Sequence, residues 1–113
     1  MADNCLFCRI VRKEIPAKIV AETEDCVAFR DVNPQAPVHI LVVPRVHVPS
    51  VKEVTDPLLV GKLTDLAKDL AQREGVADDG YRLVINTNSD AGQTVFHLHV
   101  HLLGGRHMTW PPG

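Results

Sequence analysis

The sequence predicts an α+β fold, a five-stranded antiparallel sheet with one long and one short helix. Three observations carry this. Short β-branched runs alternate with turn residues, and two of them are close enough to form a hairpin. One stretch alone sustains a long helical period. The chain has 113 residues, 45% hydrophobic and 23% charged, an ordinary globular composition with room for a single domain, 1–113.

The first element is a short helix. Asp3 or Asn4 is the expected cap, and Leu6, Phe7, Ile10 and Val11 recur at helical spacing up to Glu14, before Pro16 closes the turn. Lys18 to Glu22 reads as a strand, Thr23-Glu24-Asp25 as a turn, and Cys26 to Val32 as a second strand. After the break at Asn33 to Pro37, His39 to Val43 is a β-branched run that Pro44 ends. Val46 to Glu53 reads as irregular. Thr55 is then expected to cap the long helix, with Pro57 in its first turn. Leu59, Leu63, Leu66, Ala67 and Leu70 trace its apolar face, and Gly75 ends it. Tyr81 to Thr87 and Thr94 to Leu103 are the last strands, separated by a polar loop from Asn88 to Gln93. The only tryptophan lies in the tail, Arg106 to Gly113, where packing across a subunit interface is one use for it.

Net charge is −2, which points to neither a nucleic acid nor an acidic membrane as an obligate partner. No apolar run approaches the ~20 residues of a membrane span. Three cysteines, Cys5, Cys8 and Cys26, and no basic start followed by an apolar run give the expectation of a cytoplasmic protein without a disulfide framework. The charge is uneven. Residues 1–80 carry 10 basic and 13 acidic side chains, whereas 81–113 carry Arg82, Arg106 and Asp90 but four of the six histidines. Imidazole titrates near neutrality, ligates metals and attacks phosphorus, so the last third is where chemistry is expected.

Its strongest signal is Phe96-His97-Leu98-His99-Val100-His101-Leu102-Leu103. Side chains alternate along a strand, so His97, His99 and His101 share one face, roughly 7 Å apart, and Leu98, Val100 and Leu102 share the face that suits the long helix. Three readings compete: half-exposed histidines on a solvated face, a metal site completed by further ligands, or nucleophilic catalysis by one imidazole whose neighbours manage protons and charge. The preceding loop, Ser89 to Thr94, can offer backbone N–H groups, the Gln93 amide and the Thr94 hydroxyl to an anion. A loop of this kind feeding a histidine strand suits a phosphoester.

His97-Leu98-His99-Val100-His101-Leu102-Leu103 resembles the signature of the histidine triad superfamily. Phe7, Arg12 to Lys18, Phe29, Asp31, Pro34 to Pro37, His39, Pro44, Gly92-Gln93 and Gly104-Gly105-Arg106…Trp110-Pro111-Pro112-Gly113 extend the likeness to its Hint branch over essentially the whole chain. The resemblance implies a homodimer whose sheets join into one of ten strands. It also implies purine nucleoside phosphoramidase and acyl-nucleotidylate hydrolase activity on AMP or GMP derivatives, through a nucleotidylated histidine. By position, His99 is the nucleophile, His97 and His101 flank it, and His39 is the further histidine of the site. Asp31 would bind the ribose hydroxyls and Ile10, Phe29 and Val32 would line the base pocket. Asn86, Gly92, Gln93 and Thr94 would serve the phosphate, Thr94 replacing a serine common in the branch. His101 stands where the transferase branch has glutamine, which favours hydrolysis. A nucleotide-binding regulatory module with incidental turnover, a histidine-ligated metalloenzyme and a dinucleoside polyphosphate hydrolase remain alternatives.

Catalysis of this kind requires no cofactor, because imidazolium and backbone donors can hold phosphate charge. The Cys5-Leu6-Phe7-Cys8 pair stands apart. It reads as half a zinc site, a redox pair or two core residues. His47 and His97 are the candidates to complete a structural zinc. The resemblance to bacterial members of the wider superfamily implies such a Cys, Cys, His, His set, although the typical Hint branch lacks the cysteines. With zinc bound, His97 would be a ligand and would not move protons. Cys26 reads as core.

Overall fold

The computed structural model describes residues 4–113. The order of elements is α1 (Leu6–Val11), β1 (Ile19–Glu22), β2 (Cys26–Arg30), β3 (Val38–Pro44), α2 (Pro57–Arg73), β4 (Tyr81–Val84) and β5 (Val100–Gly104), with single 3-10 turns at Val51–Glu53 and Ser89–Ala91. The strands form one antiparallel sheet in the order β1-β2-β3-β5-β4. The expected α+β class with five strands is the observed one. No helix among the described residues is long and apolar enough to cross a membrane.

Alternation along the strands sorts the core into two clusters. Ala28, Ile40, Val42, Val100 and Leu102 face α2 and pack on Leu63, Leu66, Ala67 and Leu70. Fully burying each valine, leucine or isoleucine among them contributes about 1.5–3 kcal/mol. Val27, Phe29, Leu41 and Val43 face the other way and meet Phe7 and Ile10 of α1. One side of the sheet is thus covered by a helix of 17 residues, the other by one of six. The short cover leaves the sheet open beside it, and the site lies there.

The caps differ from expectation. Asp56 caps α2, its carboxylate accepting from Leu58 N–H at 3.0 Å, so Thr55 lies one residue too early. Pro57 at the first helical position fixes the start, because its missing N–H costs nothing there. Gly75, at φ +75°, takes the left-handed turn beyond the helix. In α1 the cap is Cys5, whose Sγ accepts from Cys8 N–H at 3.4 Å. Asp3 lies outside the described residues.

The last strand is shorter than its sequence suggests. The ladder with β3 begins at the pair Val42↔Val100, not at Thr94. Beyond it, β3 runs into Pro44, which has no N–H to donate. Leu98 N–H instead donates to Val48 O at 2.7 Å. Residues 94–99 are an unladdered approach to β5, yet they keep the alternation: Leu98 joins the α2 side, and His97 and His99 turn toward α1. β4 likewise stops at Val84, paired with His101, rather than at Thr87.

Candidate active site

The three triad histidines share a face, as the alternation predicts, but two of them are buried and His101 is half-buried. His97 is 0% and His99 8% exposed. Their partners give them three different states. The ring of His99 lies edge-on to Phe7, centroids 5.1 Å apart. Its Nδ1 sits 2.7 Å from His97 O. A carbonyl only accepts, so Nδ1 carries the proton and Nε2 keeps its lone pair. Burial lowers the pKa of His99, which keeps that lone pair free at neutral pH, against the smaller opposing effects of the carbonyl bond and Asp31.

His101 pairs with His39. Gln35 N–H donates to His39 Nδ1 at 3.0 Å, so the neutral ring carries its proton on Nε2. That Nε2–H faces His101 Nδ1 at 2.9 Å and Asp31 Oδ2 at 3.4 Å. His101 Nδ1 therefore accepts, and its own proton is on Nε2. Burial, then repulsion from His99 and His39, pushes His101 down to about 4. His39 is lowered too, by burial, with Asp31 pulling the other way. That a backbone N–H at Gln35 sets two tautomers is invisible in the sequence, which does not show where that N–H points.

His97 faces elsewhere. Its Nε2 donates to Pro44 O at 2.8 Å, and its Nδ1 lies 3.3 Å from Cys5 Sγ, 3.4 Å from Cys8 Sγ and 3.3 Å from His47 Nδ1. Both nitrogens are engaged away from the cavity. The His97 ring thus faces the cysteines, His47 and Pro44, and it is its carbonyl that meets His99.

His99 and His101 line a cavity of about 370 Å³ with Phe7, Ile10, Phe29, Asp31 and Thr94. Phe7 and Phe29 meet edge-on at 5.3 Å and form its apolar floor. Ile10 and Phe29 are buried walls, whereas Val32, 99% exposed, sits at the rim. Asp31 has two duties: Oδ1 accepts from Asn33 N–H at 2.8 Å, closing the turn, and Oδ2 faces His39. Asn86, Gly92 and Gln93 are not among the lining residues. The reading of the Gln93 amide as an anion donor is corrected: its two N–H groups donate to Pro49 O and Val95 O, and its oxygen accepts from Asn88 N–H. Gln93 holds the loop that presents Thr94. Phe7 and Leu41 line the site without having been assigned a part in it, because an apolar residue in a core pattern carries no functional mark.

Among the described residues two groups bring metal-ligating atoms within 4.8 Å of one another: Asp31, His39 and His101, and Cys5, Cys8, His47 and His97. The lone pair of His97 points to the cysteines, that of His99 to the cavity and that of His101 to His39, so no two converge. The second cluster does fit a metal. Cys8 Sγ to His47 Nδ1 is 3.3 Å. Bond lengths of about 2.3 Å to sulfur and 2.0–2.1 Å to nitrogen in a tetrahedron require donor separations of about 3.3–3.8 Å. His97 Nε2–H bonded to a carbonyl leaves Nδ1 as the donor, the outer support expected of a ligating histidine. Burial raises the Cys8 thiol to about 11, so its thiolate needs a cation.

The model of the HIT domain family matches residues 12–108. Over its full length the chain is 51% identical to an uncharacterized HIT-like protein of Synechocystis, with 100% of both chains covered. It is 46% identical over 108 residues to the purine nucleoside phosphoramidase of Escherichia coli, covering 94% of this chain and 91% of that one. Its fold superposes on a HIT family hydrolase from Legionella pneumophila with a TM-score of 0.94 at 53% identity, covering 97% and 100% of the two chains. With its triad, fold and relatives in agreement, this chain belongs to the HIT domain family.

Proposed function

We propose that this protein is a purine nucleoside phosphoramidase and acyl-nucleotidylate hydrolase acting through a nucleotidyl-His99 intermediate. The observation that carries the reading is the state of His99. Its Nδ1 is tied to His97 O at 2.7 Å, so the unprotonated Nε2 is the nitrogen left for the cavity. The similarity to a purine nucleoside phosphoramidase supports the substrate class.

In this reading the base lies against Ile10, Phe29 and Phe7, the ribose hydroxyls bond to the Asp31 carboxylate, and the Thr94 hydroxyl serves the phosphate. The anionic phosphate offsets the burial that disfavours imidazolium, so His101 takes up a proton at Nδ1 as substrate binds, and the His39 Nε2–H that faced it turns to Asp31 Oδ2, 3.4 Å away. His99 Nε2 attacks phosphorus, the P–N bond breaks, and the amine leaves with the proton from His101. Water then attacks the same phosphorus. His101 takes its proton, the His99–phosphorus bond breaks, and nucleoside monophosphate leaves. An acyl-phosphate substrate follows the same path with a carboxylate as leaving group, which needs no proton.

Cys5, Cys8, His47 and His97 hold a structural zinc in this proposal, supported by their donor separations. A four-ligand zinc has no open position and supplies charge neutralisation for the thiolates, not a step of the reaction. Homodimerisation through the sheet is part of the reading as well. The edge strand β4 exposes Tyr81 and Leu83, and Trp110 is 82% exposed, all suited to cover by a second copy.

The deciding experiment is a base-quenched reaction with adenosine 5′-phosphoramidate labelled in the nucleotide, followed by peptide mapping. Label on His99, lost in His99→Ala while AMP still binds, is the expected result. Label elsewhere, or turnover surviving in His99→Ala, removes the mechanism.

A further inference from the structure

Helix α1 does two jobs with one turn and a half. Phe7 and Ile10 are buried and line the cavity, while Cys5 and Cys8 turn to His47 and His97. Six residues do not make a helix that stands alone, since isolated helices below about 12–15 residues are marginal in water. Its docking therefore has to come from side chains. Phe7 and Ile10 supply apolar contact. Three of the described polar contacts of the helix and its cap cross from the cysteines to the two histidines, at 3.3, 3.3 and 3.4 Å. His47 lies just past β3, and His97 lies on the approach to β5. The cluster thus ties α1 to the end of β3 and the approach to β5, and the carbonyl of His97 also fixes His99.

We infer that the Cys5–Cys8–His47–His97 cluster is a clamp on α1, and that filling it with zinc sets how tightly the cavity holds a purine nucleotide. The inference rests on the proposed function for its ligand and on geometry alone for the clamp. Apparent affinity falls in proportion to the fraction of molecules with the binding-competent conformation. If α1 without zinc is docked about a tenth of the time, the AMP dissociation constant rises about tenfold. The cysteines and His47 are positioning residues in this scheme. None of them lines the cavity.

The test uses the full chain, purified without a histidine tag, with zinc bound and after chelation. Three quantities are read: zinc content, amide exchange of Arg9 to Arg12 against that of β3, and AMP binding by calorimetry. Loaded protein should hold one zinc per chain. Chelation should bring α1 exchange close to that of an undocked segment, leave β3 protected, and weaken AMP binding about tenfold. His47→Gln tests the same clamp from the solvent side, since His47 is exposed and far less apt to disturb folding than the cysteines. It should show the same two changes, and it decides the matter if chelation unfolds the chain. Absence of zinc from protein grown with zinc, or unchanged α1 exchange on its removal, overturns the clamp. Faster α1 exchange with unchanged AMP affinity overturns the link to the nucleotide. Failure of AMP to bind loaded protein counts against the proposed function, and α1 exchange then decides the clamp by itself.

Discussion

Replacing His39 with phenylalanine separates the proton arrangement of the site from its shape. The ring volume is nearly kept, but two hydrogen bonds go: Gln35 N–H to Nδ1 at 3.0 Å and Nε2–H to His101 Nδ1 at 2.9 Å. The first loss leaves a partly buried donor unpaired, which costs about 1–3 kcal/mol of stability. The second frees His101 to protonate at Nδ1, so its Nε2 is no longer bound to carry the proton. It also removes one of the repulsions that hold His101 near 4, so the His101 pKa rises. Turnover should fall about 10²-fold or more, as expected when an acid–base histidine loses its orienting partner, while AMP affinity changes little. Nitrogen-15 spectra of the imidazoles read the tautomer directly, and titration reads the pKa. A His101 still protonated on Nε2 alone, with an unmoved pKa and undiminished kcat, would refute the argument that Gln35 and His39 set its state.

Three further outcomes are expected. Gly104→Ala should lower stability by about 1–3 kcal/mol, because a Cβ there would lie 2.8–3.0 Å from the three side-chain carbons of Val76, and an unchanged calorimetric Tm would contradict that packing. Gln93→Leu should cost about 2–4 kcal/mol and raise KM, since it strips the hydrogen bonds to Pro49 O, Val95 O and Asn88 N–H from a buried side chain; wild-type KM and stability would show that Thr94 is held by something else. His101 and His39 are harder to protonate folded than unfolded, so the unfolded chain binds more protons as pH falls from 6.5 toward about 4. Stability should decline across that window on acidification and gain nothing from these two groups above it; denaturant midpoints independent of pH there would rule this out.

The elements were legible wherever a period fixed them. The apolar stripe of α2 and the alternation of Ile40, Val42, Val100 and Leu102 are the observed core. Cys26, read as core, is 1% exposed. Boundaries were less legible because they depend on partners. Thr55 and Asp56 are both good caps, and only the Pro57 position chooses between them. Thr94 to His99 has strand composition but meets Pro44 and the turn to Val48, so it finds no ladder. The Gln93 amide looked available because sequence lists donors without their acceptors. Two carbonyls, one of them 44 residues away, take both its protons.

The triad illustrates the same divide at the level of chemistry. Alternation puts three imidazoles on one face and says nothing that distinguishes them. What separates them is the nearest fixed backbone group. Pro44 O takes the Nε2–H of His97 and turns its lone pair to the cysteines. His97 O takes the Nδ1–H of His99 and leaves Nε2 for the cavity. Gln35 N–H, acting through His39, puts the proton of His101 on Nε2. Each assignment follows from a group that can only accept or only donate, so none depends on side-chain identity at those positions. Substituting Pro44 or Gln35 by residues that keep the backbone path should therefore preserve the three states, whereas any change that shifts either strand end would mix them. The chemistry of the site is written in the backbone that surrounds the motif as much as in the motif.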